Sequence, residues 1–127
     1  MNLTFNEEIF KNCRNKEQYF QYIEELVWLG REVQDNGIMA FESEKWQNAT
    51  AYEREAIDLL CEGGPPNRLE FMLTNLLNTS DFTEDEYIKA VLFRVFVIFL
   101  QPGGISETEM KKLLLSHFGI QEYHNRI

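Results

Sequence analysis

Residues 83–104 read TEDEYIKAVLFRVFVIFLQPGG, with an acidic start, a nearly continuous apolar run and a Pro-Gly-Gly stop. The apolar run spans residues 90–100, which is well short of the roughly 20 residues that a helix needs to cross a bilayer. We therefore predict a buried central helix around residues 84–101, with Arg94 on its wetter side or paired with a carboxylate. The β-branched and aromatic content also fits a buried strand, which is the alternative.

Helix-start signals recur along the chain. Ser, Thr or Asn followed three residues later by Glu is the capping-box pattern that begins a helix, and turn residues such as those at 63–66 end one. No alternating strand pattern competes with these signals. We therefore predict an all-α single domain over residues 1–127, a bundle of five to six helices, the sixth being a short helix over residues 6–13. The start signals are Thr50-x-x-Glu53, Asn67-x-x-Glu70, Thr83-x-x-Glu86 and Ser106-x-x-Glu109.

Apolar residues in the first third of the chain recur at steps of three and four, the period of one helix face. The simplest interpretation is one long helix from about Lys16 to Glu42. Gly30 and Gly37 lie on this stripe, and glycine costs a helix about 1 kcal/mol relative to alanine, so we expect close packing of the backbone against another helix. The alternative is that one of the two glycines ends a shorter helix. The stripe consists of Tyr19, Ile23, Leu26, Gly30, Val33, Gly37 and Phe41.

Charge and composition exclude several classes of function. The chain carries 21 acidic and 12 basic side chains, a net charge of -9, which repels phosphate backbones and anionic lipid headgroups. We therefore expect no nucleic-acid partner and no membrane insertion. The first residues lack the basic and apolar regions of a secretory signal, and Cys13 and Cys61 are too few for a disulfide framework. A cytoplasmic location is the resulting expectation.

No pattern in the chain matches a catalytic or metal-binding motif. His117 and His124 have no partner at HExxH spacing, and His117 is explained as a cation near a helix C-terminus, where the dipole favours positive charge. A calcium-loop frame that ends at Glu86 would start at Asn75 and would place Ser80 where the loop needs glycine. We therefore predict no catalytic residue, no cofactor and no metal.

The two tryptophans fall outside the apolar stripe. Trp28 and Trp46 are large aromatic residues, and such residues near a surface are enriched at protein interfaces. With no chemistry indicated, a protein contact is the most economical function for an acidic helical domain. The alternative is that both rings cover the edges of the core.

The middle of the chain carries a spaced motif. It reads GIMAFE at residues 37–42, then AIDLLCEG at residues 56–63 and Pro66. Over about residues 26–73 this pattern resembles the cytoplasmic helical segment of MotA-type flagellar stator subunits. The resemblance implies a helical unit that contacts the flagellar rotor through charged side chains, with Glu42 at the position of that family's conserved acidic residue.

The chain departs from that family at two points. Gln34 stands three residues before Gly37, where the family usually has an arginine, although Arg31 lies one turn earlier. The family also has four membrane spans, whereas none is predicted here, so ion conduction does not carry over. The rotor-contact hypothesis requires Arg31 and Glu42 to be exposed on one helix.

The sequence thus predicts a non-enzymatic cytoplasmic protein-interaction module whose contacts are Trp28, Arg31, Glu42 and Trp46. Two other functions stay open. The first is a helical bundle that binds a small apolar ligand, or acts as an enzyme, through an interhelical pocket. The second is a homo-oligomer, in the simplest case a homodimer, in which the helix of residues 90–100 packs across the subunit interface. The ligand pocket would be lined by Phe93, Phe96, Phe99 and Met110.

Overall fold

Helices make up all the regular secondary structure in the computed structural model, which describes residues 1–127 apart from the side chains of Glu44 and Lys45. This part of the chain has no strand, and it forms eight α-helices and two 3-10 helices. The all-α prediction is therefore confirmed, whereas the predicted count of five to six helices is too low. The α-helices are α1 (Glu7–Asn12), α2 (Glu17–Asn36), α3 (Glu44–Gln47), α4 (Ala51–Glu62), α5 (Pro66–Thr79), α6 (Glu84–Leu100), α7 (Glu107–Leu115) and α8 (Ile120–Arg126), and the 3-10 helices are Gly37–Glu42 and Ser116–Phe118.

The helix predicted around residues 84–101 corresponds to α6. Its start is a complete capping box, in which the Thr83 hydroxyl accepts from the Glu86 amide and the Glu86 carboxylate accepts from the Thr83 amide. Beyond its first turn α6 is apolar on nearly every side, and it packs against α1, α2, α4, α5 and α7. A helix that is apolar all round is stable only when other elements surround it. The alternative of a buried strand is wrong.

Arg94 of α6 corrects one expectation. The side chain is fully buried, and no carboxylate pairs with it among the described side chains. Its guanidinium donates to the carbonyl oxygens of Leu3 and Thr4, at 3.2 and 2.8 Å, and to Thr74 Oγ1 at 3.3 Å. Because neighbours cover α6 around Arg94, this part of the helix has no wet side, and main-chain oxygens take the place of a carboxylate.

The two glycines of the α2 stripe behave differently. At Gly30 a Cβ atom would lie 3.2 Å from Cε1 of Phe96, so the predicted close packing between helices is confirmed there. Gly37 instead has φ +74° and donates its N–H to the Val33 carbonyl, which ends α2 at Asn36. The expected helix from Lys16 to Glu42 is therefore wrong, because a left-handed glycine stops it as a C-cap.

Most of the other predicted starts and stops match the structure. A complete capping box starts α4 at Thr50, and the Ser106 hydroxyl accepts from the Glu109 amide at the start of α7. The capping box predicted at Asn67 is wrong, because the N-cap of α5 is Pro65, two residues earlier, and the helix begins at Pro66. Proline is favoured at the first helical position, since its missing N–H would have no partner there.

All of the longer helices contribute to one hydrophobic core cluster. Cys13 is buried, Cys61 is exposed, and both are free thiols. Within the described residues, no helix is both long enough and apolar enough to span a membrane. Because helices of its own chain cover most of α6, residues 90–100 leave little apolar surface for a contact between copies, and the homo-oligomer contact through this helix stays a prediction.

Candidate protein-binding surface

One face of α2 stays in solvent while the opposite face builds the core. Glu24, Trp28, Arg31 and Asp35 follow one another at steps of four, three and four, which places them on a single helix face. Trp28 is 52% exposed, so roughly half of its large apolar ring meets water. We call this face, together with its charged partners on α7, the α2–α7 surface.

Ion pairs across α2 and α7 frame the exposed indole. Lys111 Nζ lies 2.9 Å from Glu24 Oε1, one turn before Trp28. Arg31, one turn after it, reaches Glu107 Oε1 at 3.3 Å from Nη1 and Asp35 Oδ2 at 3.7 Å from Nε. Exposed pairs of this kind contribute less than about 1 kcal/mol each, so their main effect is to order the charged side chains around the ring.

A shallow groove of about 280 Å³ lies beside this surface, between α2, α7 and α8. Phe20 and Leu115 contribute its apolar residues, and the guanidinium of Arg126 lies 3.7 Å from the centre of the Phe20 ring. Arg126 also pairs with Glu17 at 2.9 Å and with Glu122 at 3.1 Å. The cation over the ring and its two carboxylates close one end of the groove and tie α8 to α2.

The 3-10 helix after α2 adds further exposed groups. Ile38 and Met39 are 57% and 69% exposed, and Glu42 is exposed as well. Arg31 and Glu42 are thus both in solvent, but Gly37 separates their helices. The expectation that they share one helix is therefore wrong, and their relative direction is set by the turn at Gly37.

Trp46 is not an exposed contact. It is only 6% exposed, and its ring centre lies 5.8 Å from that of Phe93 in α6. The predicted use of Trp46 as a binding anchor is therefore wrong, because a partner cannot reach a ring that already packs on the central helix. The alternative interpretation, a ring that closes the edge of the core, fits the structure.

The predicted interhelical pocket is occupied by the side chains that were expected to line it. Phe93 and Phe96 are fully buried, with ring centres 5.5 Å apart, and Met110 borders a gap of only about 10 Å³. A larger groove of about 670 Å³ lies elsewhere, open to solvent along α5, where Phe71 is exposed. Phe93 and Phe96 thus fill the core, whereas Phe99 is only partly buried at its edge.

One buried pair of polar side chains, Tyr22 and Glu53, links two helices. Tyr22 of α2 donates to Glu53 Oε2 at 2.6 Å, while Glu53 Oε1 completes the capping box of α4. Burial, with a further contribution from Glu53, raises the pKa of Tyr22 well above its usual value. This link between α2 and α4 was not predicted, since residues 31 positions apart show no local signal for a contact.

The histidine near the end of α7 corrects another expectation. Burial lowers the pKa of His117, so the neutral ring is favoured where a cation was predicted. Its Nδ1 lies 2.8 Å from the Leu114 carbonyl oxygen. Among the described side chains, no group of three His, Cys, Asp or Glu residues is placed to hold a metal ion.

We compared the chain with models of known families, with curated proteins and with solved structures, and none of the three comparisons gives a match. A functional proposal for this chain therefore rests on its own residues and their geometry. The feature that distinguishes the α2–α7 surface is a half-exposed tryptophan held within ordered charges.

Proposed function

We propose that the protein is a non-enzymatic cytoplasmic protein-interaction module that binds its partner through the α2–α7 surface. The half-exposed ring of Trp28 is the observation that carries this proposal. Tryptophan and arginine are the residue types most enriched among those that dominate binding energy. Trp28 and Arg31 supply both types one turn apart on the same helix face.

The charged side chains around Trp28 favour binding because ion pairs already hold them in place. Immobilising a flexible side chain at an interface costs about 0.5–1.5 kcal/mol. Arg31 is held by two carboxylates and Lys111 by one before any partner arrives, so part of that cost is met in the free protein. The partner then gains by covering the exposed part of the indole ring.

Charge complementarity indicates the chemistry of the partner. The α2–α7 surface carries three acidic side chains, Glu24, Asp35 and Glu107, and two basic ones, Arg31 and Lys111, on a chain whose net charge is -9. The net negative charge of the whole chain favours a partner whose lysines or arginines surround an apolar contact. A second copy of this chain carries the same net negative charge, so a homodimer is the less favoured complex at this surface.

The resemblance to flagellar stator subunits remains a prediction. Arg31 and Glu42 are both exposed, which is what charged contacts with a rotor component require. Gln34, at the position of the usual arginine, instead donates to the Ile105 carbonyl oxygen at 2.8 Å and joins α2 to the start of α7. Any rotor-like contact of this chain would therefore depend on Arg31.

Affinity capture from the native cell, followed by mass spectrometry, tests the proposed function. The bait is the full chain, compared with Trp28→Ala and with the matched control Phe71→Ala, which removes an aromatic ring 67% exposed on α5. We expect a protein recovered with the wild type and with Phe71→Ala, and lost at least about tenfold with Trp28→Ala, since truncating a dominant contact costs 2 kcal/mol or more. Its binding should also weaken as salt rises.

Two results would contradict the proposal. Recovery that is equal with Trp28→Ala and with the wild type would remove Trp28 from the interface. A partner whose contact surface is acidic, or whose binding is insensitive to salt, would contradict the charge complementarity of the α2–α7 surface.

A further inference from the structure

The C-terminal end of α2 carries a pair of residues whose chemistry the proposed function does not use. Asn36 is the last residue of the helix, and Gly37 follows it as the C-cap. Both residues are exposed to solvent. Asn36 is the one asparagine of the chain that is followed by glycine, so the sequence offers this chemistry at a single place.

The reactivity of the pair follows from the missing side chain of glycine. Joining the main-chain nitrogen of Gly37 to Cγ of Asn36 closes a five-membered ring. A Cβ at position 37 would crowd that approach, and glycine has none. No other segment of the described residues lies within 4 Å of the place that a Cβ of Gly37 would take. Neighbouring parts of the fold therefore do not block the ring closure.

Two hydrogen bonds in the last turn of α2 hold the pair in its present geometry. The Gly37 N–H donates to the Val33 carbonyl oxygen, and Asn36 Nδ2 donates to Glu32 Oε2 at 3.1 Å. Asn36 has φ -122° and ψ 0°, so it has already left the helical conformation. Helix ends open at little cost in free energy, because few contacts hold them. The two bonds therefore prevent ring closure only while the last turn is closed.

We propose that Asn36 is a site of spontaneous covalent modification in the folded protein, with water as the other reactant. When the last turn opens, a base in the solvent takes the proton of the Gly37 amide, and the nitrogen attacks Cγ of Asn36. The bond between this nitrogen and Cγ forms, and the bond between Cγ and Nδ2 breaks. Nδ2 takes up a proton from water and leaves as ammonia. The product is a cyclic imide that joins the two residues.

Water then opens the cyclic imide at either of its two carbonyl carbons. Hydrolysis of the bond between the nitrogen and Cγ restores the main chain and leaves an aspartate at position 36. Hydrolysis of the bond between the nitrogen and the main-chain carbonyl carbon leaves an isoaspartate, in which the chain runs through Cβ and Cγ. Each route exchanges ammonia for water without any change in oxidation state.

Either product changes the end of α2 that adjoins the α2–α7 surface. A carboxylate at position 36 is unfavourable at a helix C-terminus, and it lies one turn from Glu32, which has the same charge. It also stands next to Asp35, which pairs with Arg31 at 3.7 Å. Isoaspartate adds one atom to the main chain before Gly37 and takes the C-cap hydrogen bond out of register. The modification thus makes this end of α2 more negative and less ordered.

Mass spectrometry on the full chain tests the site. The folded protein is incubated at neutral pH, sampled over time and digested with trypsin, which releases residues 32–45 with Asn36 as their one asparagine. Modification appears as the mass change from an amide to an acid in this peptide. The internal control is the peptide of residues 46–54, in which Asn48 is exposed but precedes alanine.

The reference state is the same chain held unfolded in guanidinium chloride, where no hydrogen bond protects the pair. We expect residues 32–45 to be modified in the folded protein at a rate within about tenfold of the unfolded rate, since the helix end opens at little cost. Residues 46–54 should stay unmodified over the same time. Asn36→Gln should remove the mass change, because the longer side chain would have to close a larger ring.

Three results would overturn the proposal. A folded rate more than about tenfold below the unfolded rate would show that the last turn of α2 protects Asn36. Equal modification of Asn48 would show that the glycine at position 37 is not the cause. A mass change that persists in Asn36→Gln would place the modification at another residue of the peptide. The site does not depend on the α2–α7 surface binding a partner, so its failure leaves the proposed function untouched.

Discussion

Helices α2 and α6 are the two longest in the molecule, at 20 and 17 residues, yet the protein uses them in opposite ways. From Ile88 to Leu100, α6 is apolar except for Lys89 and Arg94, and five other helices pack around it. In α2, one face builds the core and the other presents Trp28 among charges. A helix that is fully enclosed organises the fold, whereas one with a single buried face has another left for a partner.

The largest expected effect is a difference in stability between two variants, one at the arginine of α6 and one at the arginine of α2. Arg94→Ala should lower the free energy of unfolding by roughly 2–5 kcal/mol, because it opens a cavity at a fully buried side chain and removes the donors to the Leu3 and Thr4 carbonyls. Arg31→Ala, at a side chain 61% exposed, should cost less than about 1 kcal/mol. Urea unfolding monitored by circular dichroism measures both. Similar losses for the two variants would contradict the contrast between α6 and α2.

An intermediate effect is expected where the two helices touch. Gly30→Ala adds a Cβ 3.2 Å from Phe96, a ring that is fully buried and in contact with Phe93. Overpacking costs about 1–3 kcal/mol, which exceeds the gain of about 1 kcal/mol in helix propensity. We therefore expect a net loss of about 1 kcal/mol in the free energy of unfolding.

The matched control for that variant is Gln21→Ala, at an exposed position of the same helix. The alanine gains helix propensity without a close contact to another side chain. The free energy of unfolding should therefore stay within about 0.5 kcal/mol of the wild type. If Gly30→Ala were as stable as this control, α2 and α6 would not pack as closely as the structure shows.

The smallest effect on stability is expected on the outer face of α2. Trp28→Phe should change the free energy of unfolding by less than about 0.5 kcal/mol, as is usual for surface positions. It should nevertheless remove the tryptophan fluorescence that acrylamide quenches efficiently, since Trp28 is half exposed and Trp46 is 6% exposed. Quenching that persists at the wild-type level in this variant would show that Trp46, and not Trp28, meets solvent.

Local signals predicted much of α6 and of the helix starts. The capping boxes at Thr50 and Thr83 form because the interactions that make them lie within four consecutive residues. The apolar run of α6 also predicts that the helix is buried, since so apolar a segment must be kept away from water. The apolar period placed both tryptophans outside the buried stripe, but it left open which of them meets solvent.

Apart from the local errors at Gly37 and Asn67, the main predictions that failed concern contacts between residues distant in sequence. Trp46 is buried because the chain turns at Gly37 and brings α3 onto Phe93. The residues next to Trp46 in the sequence give no indication of this contact. Arg94 finds its acceptors about 90 residues away, at Leu3 and Thr4. The periodicity of apolar residues indicates which face of a helix is apolar, but it does not indicate which other segment of the chain will cover that face.

The sequence by itself determined an acidic, all-helical chain with an apolar central helix and with most of its helix starts, because these depend on composition, capping and period. The tertiary structure decided which of two tryptophans meets solvent, how a buried arginine is satisfied and where the charges on α2 and α7 meet. The physical reason is that burial and pairing depend on which distant segments come together, and local propensity carries no information about that choice.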